Sequence, residues 1–281
     1  MYAITGITGQ VGGVVARTLL THGAAVRAVA RDPQKLDAWA TNGCDTALAD
    51  ITDANALARA FSGTDGVFIL LPPAFDPSPD FAEARAAIAA IRTALITARP
   101  ARVVALSTIG ADSDRPNLLG QLRLMEAALS DTGLPVTCLR AAWFIENAAW
   151  DVADARAGTI KSYLQPLDRP VAMVSVEDVG TTAAALLTEA HDGVRIVELE
   201  GPARVSPNDL AQAFATALGH PVNAQIVDRQ TWEGLFRAQG MRNPQPRMQM
   251  LDGFNDGWID FPAGRARKGA VTLEQAVKAM I

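Results

Sequence analysis

The opening run Met1-Tyr-Ala-Ile-Thr-Gly-Ile-Thr-Gly-Gln-Val-Gly12 places Gly6, Gly9 and Gly12 between an apolar strand and a helical stripe. Ala3, Ile4 and Thr5 read as a buried strand, while Val11, Val15 and Leu19 recur at helical spacing until Gly23 stops the helix. The turn that joins them has to be tight. Glycine supplies the positive φ angles of such a turn, and without a Cβ it lets backbone N–H groups approach a pyrophosphate at the positive end of the helix. A dinucleotide is therefore the expected ligand. The spacing Gly-x-x-Gly-x-x-Gly departs from the Gly-x-Gly-x-x-Gly fingerprint. An ordinary strand-to-helix turn is the competing reading, and the flanking pattern weighs against it.

A second strand, Ala25 to Ala30, ends in Arg31, where an NAD-type domain carries Asp or Glu. A guanidinium offers a planar fork of donors to phosphate oxygens, worth roughly 1.5 to 3 kcal/mol, or about ten- to a hundredfold in affinity. The sequence thus predicts NADPH over NADH, with Lys35 as a second cation and Asp32 facing solvent. The alternative for Arg31 is a surface residue that opens the next helix through Asp32-Pro33.

Length and composition fit an enzyme-sized chain: 281 residues, 49% hydrophobic and 20% charged, are enough for a sizeable core. A net charge of −5 without a basic run argues against nucleic acid as partner. Two cysteines, Cys44 and Cys138, are too few for a disulfide scaffold and match a reducing cytoplasm. The longest apolar run, Val67 to Pro73, is too short to span a bilayer, and a strand beginning at Met1 or Tyr2 leaves no room for a signal peptide. No metal site is expected.

Strands are predicted near 46–49, 66–71, 103–106 and 136–139, and helices near 53–61, 80–98 and 117–131. Such alternation gives an α/β fold, a doubly wound Rossmann sheet with ligand groups after the strand ends. Those positions are Thr8 and Gln10, Arg31, Asp50, Pro72 to Phe75, Ser107, and Trp143 to Asn147. The regular pattern stops after Leu139. Residues 1–140 with 168–200 are assigned to the nucleotide-binding domain, and 141–167 with 201–281 to a smaller α/β cap that shares a cleft with it. In the cap, Ser206 and Asp209 form a capping box with Pro207 at the first helical position, Gly219 ends that helix, and Thr272 starts the last one.

Taken together, Gly6-Ile-Thr-Gly-Gln-Val-Gly12, Val29-Ala-Arg-Asp-Pro33, Ala49-Asp50, Ser107-Thr-Ile-Gly110, the stretch Gly133 to Asn147 and Val174-Ser-Val-Glu-Asp-Val179 resemble the NmrA-like branch of the atypical short-chain dehydrogenases. Bacterial NADPH-dependent quinone oxidoreductases and fungal nitrogen-metabolite regulators are both similar to it. The resemblance implies that Thr8, Gln10 and Val11 touch the phosphates and Arg31 the 2′-phosphate. It also implies that Asp50 meets the adenine amino group, with Leu71 and Pro72 on the nicotinamide side. For Asp50 a helix-capping role competes, although Thr52 or Asp53 is better placed for that.

Dehydrogenases of the wider superfamily resemble one another in a Tyr-x-x-x-Lys pair that donates a proton. This chain lacks it: the only tyrosines are Tyr2 and Tyr163, and no Lys lies between Lys35 and Lys161. Some NmrA-like reductases carry a Lys or His where this chain has Leu122, in the stripe Leu118, Leu122, Met125, Leu129. The remaining polar candidates are Ser107, Thr108, Arg123, Glu126, Arg140, Glu146 and Asn147, with Glu126 expected to pair with Arg123 on its own helix. The catalytic group is left unassigned. Ser107 could hold a substrate oxygen or the nicotinamide amide, or cap the next loop. Phe75, Trp143, Phe144 and Asn147 are the expected substrate contacts, within an aromatic set that includes Phe81, Trp150, Phe254, Trp258 and Phe261, about half of which is assigned to core packing instead.

Two functional classes survive. One is an NADPH-dependent reductase of a quinone or similar flat, conjugated molecule, which takes its proton from water. The other is an NADP(H)-sensing regulatory protein that signals to a protein partner. A homodimer is compatible with either.

Overall fold

Short strands and helices follow one another in the expected alternation. The computed structural model describes residues 1–281. The strands are β1 (Tyr2–Thr5), β2 (Val26–Ala30), β3 (Asp45–Leu48), β4 (Gly66–Ile69), β5 (Val103–Thr108), β6 (Val136–Ala141), β7 (Trp143–Phe144), β8 (Thr159–Ser162), β9 (Met173–Val174), β10 (Val194–Glu200), β11 (Asn223–Ile226) and β12 (Arg267–Lys268). The helices are α1 (Gln10–Thr21), α2 (Pro33–Thr41), α3 (Ala54–Phe61), α4 (Ala82–Ala98), α5 (Gly120–Ser130), α6 (Val152–Arg156), α7 (Val176–Thr188), α8 (Pro207–Leu218), α9 (Trp232–Ala238), α10 (Gln245–Asp256) and α11 (Leu273–Met280).

Eight strands form one sheet in the order β12-β10-β6-β5-β4-β1-β2-β3. The pairs β1–β2, β1–β4, β2–β3, β4–β5 and β10–β12 are all parallel. Because β4 and β2 flank β1, the strand order reverses there, and the fold is the doubly wound Rossmann type. The chain divides into two compact units. The first holds Met1–Ser107, Gln121–Arg140 and Val179–Val197; the second holds Thr108–Gly120, Ala141–Asp178 and Glu198–Ile281.

In the first unit, alternate residues Val67, Ile69, Val103, Ala105, Val136 and Cys138 point to one face of the sheet. There they pack with Leu57 and Phe61 of α3, Ile88, Ile91 and Leu95 of α4, and Met125 and Leu129 of α5. Helix α7 lies close to α1: a Cβ on Gly180 would come within 2.4 Å of Val14, so only glycine fits that contact.

Three boundaries differ from the sequence reading for local reasons. Strand β4 ends at Ile69, two residues early, because the Leu70 amide donates to the Thr5 hydroxyl, which itself donates to the Phe68 carbonyl. Helix α4 starts at Ala82 because the Ser78 hydroxyl accepts from the Ala82 amide, while Phe81 takes a left-handed conformation at φ 58°. Helix α5 starts at Gly120 because the Asn117 side chain accepts the Leu119 amide and holds residues 117–119 in a turn.

The second unit has its own core, in which Phe214, Val277, Ile160, Ala155 and Val222 are buried together. The Ser206–Asp209 capping box starts α8 as expected, Gly219 ends α8 in the left-handed region, and Thr272 starts α11, there in a capping box with Gln275. Strands β8 and β11 pair in parallel, as do β7 and β9. The Asp178 carboxylate accepts the amides of Ala270 and Val271, anchoring the chain just after β12. No helix is long and apolar enough to cross a membrane.

Candidate dinucleotide site

The three glycines each meet a different demand. Gly6 turns the chain out of β1 at φ +63°. The Gly9 amide donates to the Gly6 carbonyl at 2.9 Å, closing the turn, and Gly9 is the residue before α1. At Gly12 a Cβ would lie 2.3 Å from the Gly6 oxygen, so the first turn of α1 can sit against the loop only without a side chain. No side chain caps α1, and its first turn carries no acidic residue. The amides at such a helix start have no partner within the helix. A carboxylate would compete with phosphate there, so its absence fits a phosphate acceptor. Thr8 and Gln10 are exposed beside this turn, whereas Val11 is buried and can offer only its backbone amide.

Arg31 is exposed directly after β2, and Lys35 is exposed on α2. Asp32 is not simply solvent-facing: its carboxylate accepts the Gln34 amide at 3.0 Å and caps α2. After β3, the Asp50 carboxylate accepts the Thr52 amide at 2.9 Å and the Thr52 hydroxyl at 2.6 Å. These bonds hold its carboxyl below the usual aspartate value, with a smaller contribution from the charge of Arg31. Asp53, not Asp50, caps α3, accepting the amides of Asn55 and Ala56. Leu71 is half-buried and Pro72 exposed after β4. Since β4, β1, β2 and β3 are neighbours in the sheet, all of these residues share its carboxyl edge.

Ser107, near the end of β5, belongs to an arrangement the sequence did not disclose. Its hydroxyl donates to Glu126 Oε1 at 2.5 Å. The same carboxylate receives Arg140 Nε at 3.0 Å and Nη2 at 2.7 Å, a bidentate pair. Ser107, Glu126 and Arg140 keep 3%, 9% and 9% of their surface. Glu126 therefore bonds across to β6 instead of pairing with Arg123 along its own helix. A signal was present in the sequence: Arg140 is the one charged residue of the strand Val-Thr-Cys-Leu-Arg-Ala, buried at every residue, and a buried charge needs a partner. Nearby Cys138 is inert, its thiol pushed up to about 12 by burial, with Glu126 adding to the effect.

The expected substrate contacts fall in both units. Phe75, in the first, is 44% exposed. In the second, Trp143 meets Phe254 edge to face at 5.1 Å, Phe144 pairs with Val174 through β7–β9, and Asn147 is half-buried in the turn Ile145–Asp151. Phe254 and Phe261 are core residues at 3% and 5% exposure, and Trp258 lies under Arg115 at 5.2 Å. Trp150 is 70% exposed. Glu146 accepts the Val176 amide at 3.0 Å, and burial raises its carboxyl above the usual value despite that bond. No cluster of His, Cys, Asp or Glu could hold a metal ion.

A reversed strand order, an uncapped glycine-edged helix start and charges after the next two strands define a Rossmann-type dinucleotide-binding protein. More particularly, the chain belongs to the NAD(P)H-binding family, whose model matches residues 6–190. It is 30% identical over 226 residues to (4-alkanoyl-5-oxo-2,5-dihydrofuran-3-yl)methyl phosphate reductase of Streptomyces griseus, covering 79% of this chain and 75% of that one. It is 26% identical over 274 residues to quinone oxidoreductase 2 of Escherichia coli, covering 96% and 89%. Among solved structures, the NADPH complex of the E. coli NADPH-dependent quinone oxidoreductase matches with a TM-score of 0.84 at 23% identity over 100% and 99% of the two chains. The NADP(H) complex of Citrobacter sp. triphenylmethane reductase matches equally well, at 22% identity over the whole of both chains. At such identities the structural likeness establishes the fold.

Proposed function

We propose that this NAD(P)H-binding protein is an NADPH-dependent reductase that delivers hydride to a quinone or a similar conjugated small molecule. The observation that carries the reading is the pairing of an uncapped, acid-free helix start with Arg31 exposed after β2. The first suits a pyrophosphate and the second a 2′-phosphate. In this reading the amides at the start of α1, with Thr8 and Gln10, hold the diphosphate, and Arg31 and Lys35 hold the 2′-phosphate. Asp50 faces the adenine amino group, Leu71 and Pro72 the nicotinamide side, and Phe75, Trp143, Phe144 and Asn147 the substrate.

Bound NADPH supplies hydride, which with one proton from water converts a quinone to its hydroquinone and leaves NADP. The protein's part is orientation and exclusion of competing reactions. No side-chain acid is required, because a quinone delocalises the charge it receives, and this accommodates the missing Tyr-x-x-x-Lys pair. The curated relatives are likewise named as reductases or an oxidoreductase acting on a furanone phosphate, azo compounds and quinones. The reading includes a cytoplasmic site of action, in keeping with two unpaired, buried cysteines.

The test mixes purified protein with NADPH or NADH and a panel of quinones and azo dyes, and follows nicotinamide absorbance against an enzyme-free control. Quinone-dependent consumption of NADPH in preference to NADH is expected. Tight NADPH binding with no turnover on any acceptor would replace the reductase by the sensor.

A further inference from the structure

We propose that the buried Arg140–Glu126 pair is a positioning device that locks Ser107 as a hydrogen-bond acceptor, and that the donor it accepts is the carboxamide N–H of the nicotinamide. This rests on the NADPH reading above. A serine hydroxyl has one proton and two lone pairs. Here the proton is committed to Glu126 Oε1 at 2.5 Å. The carboxylate cannot return the favour, since both its oxygens already receive the guanidinium of Arg140, which stays charged. What Ser107 has left is acceptor capacity. Ser107 keeps 3% of its surface open, and in this proposal that remaining acceptor goes to the ligand.

Its place near the carboxyl end of β5 is where ligands of such sheets bind. The class of ligand group then follows from chemistry. A quinone presents only acceptors, and an acceptor cannot bond to another acceptor. At the reacting end of NADPH the neutral donors are the carboxamide NH2 and the ribose hydroxyls, and the carboxamide, carried on the reacting ring itself, is the one assigned to Ser107. Ser107 is thereby assigned to the cofactor and excluded as a proton donor to substrate, while Glu126 and Arg140 act only through it.

The test compares the binding of NADP and its 3-acetylpyridine analogue, in which a methyl replaces the carboxamide NH2, by calorimetry. Wild type should bind the analogue about three- to tenfold more weakly. In Ser107→Ala that ratio should fall towards one, and Ser107→Thr, which keeps the hydroxyl, should restore it. Glu126→Ala removes the acceptor of the Ser107 proton, frees the hydroxyl to donate, and should lower the ratio as Ser107→Ala does, with no further change in the double variant. A merely structural role would weaken both ligands alike and leave the ratio unmoved. Equal binding of the two by wild type would overturn the proposal without any variant. Adenosine 2′,5′-bisphosphate separates the two readings: if it and NADP both fail to bind, the NADPH reading falls and this one with it. If both bind without discrimination at the carboxamide, only the serine assignment falls.

Discussion

Two sets of charges in the first unit stand on strands and helices of one sheet and live in opposite environments. Arg31, Lys35 and Asp50, after β2 and β3, are exposed, and the one strong side-chain interaction among them is that of Asp50 with Thr52. Glu126 and Arg140, on α5 and β6, are nine-tenths buried and bonded to each other through two hydrogen bonds. Exposed charges can be lost at little cost to the fold and are suited to a ligand that comes and goes. A buried pair, once formed, cannot lose one member cheaply, because the other is left desolvated. It therefore suits a fixed task such as orienting a third group.

Removing Glu126 gives the largest effect that this contrast predicts. Glu126→Ala takes from the buried Arg140 guanidinium its carboxylate partner and leaves the Ser107 hydroxyl without its acceptor, and should cost about 3 to 5 kcal/mol in urea unfolding. Lys35→Ala should stay within about 0.5 kcal/mol. Comparable losses from both would abolish the distinction.

Arg31 breaks the comparison from the other side, because its expected effect lies in binding and not in folding. Arg31→Ala should weaken NADPH by about ten- to a hundredfold, roughly 1.5 to 3 kcal/mol, and leave NADH binding and the unfolding midpoint as they were. Unchanged NADPH affinity would return Arg31 to the role of a surface residue ahead of α2. Gly12 lies between the two cases, since a Cβ there meets the Gly6 oxygen at 2.3 Å. Gly12→Ala should destabilise by about 1 to 3 kcal/mol and displace the amides proposed to hold the diphosphate, so that NADPH and NADH weaken together. Weakening of one cofactor alone would contradict that account.

The same contrast separates what is legible in the amino-acid sequence from what is not. The glycine turn, Arg31 after its strand, the caps at Asp53, Ser206 and Thr272, and the alternation of elements all rest on residues close together in the chain. Local spacing encodes them, and β1 to β6 lie within a few residues of their expected places. The Ser107–Glu126–Arg140 network joins residues 14 and 19 apart on three elements, and needs the packing of α5 against β5 and β6 to exist. On the helix alone, Arg123 is the obvious partner for Glu126. The apolar run around Arg140 holds the only local signal of the true one. Aromatic residues are hard to place for a related reason: periodicity cannot separate core from ligand wall, so Phe254 and Phe261 prove to be core and Trp150 exposed.

Asp151 sharpens the comparison further, as a half-buried carboxylate with no cation to balance it. It precedes α6 but its side chain caps nothing. Burial, with the nearby charge of Asp154 adding to it, raises its carboxyl to about 6. The folded state thus holds a proton that the unfolded chain releases near pH 4. The stability from this group is complete below pH 4 and is lost as pH rises through 6. Because the residue keeps some contact with solvent, the loss should be about 1 kcal/mol. Unfolding free energies measured at pH 4, 5, 6 and 7 should show that decline in wild type, and Asp151→Asn should flatten it without altering NADPH affinity. An identical slope in both proteins would mean that Asp151 is solvated well enough to ionise normally. Partial burial alone would then be insufficient to perturb a carboxyl in this chain, and the cost of burying Glu126 without Arg140 would have to be revised downward with it.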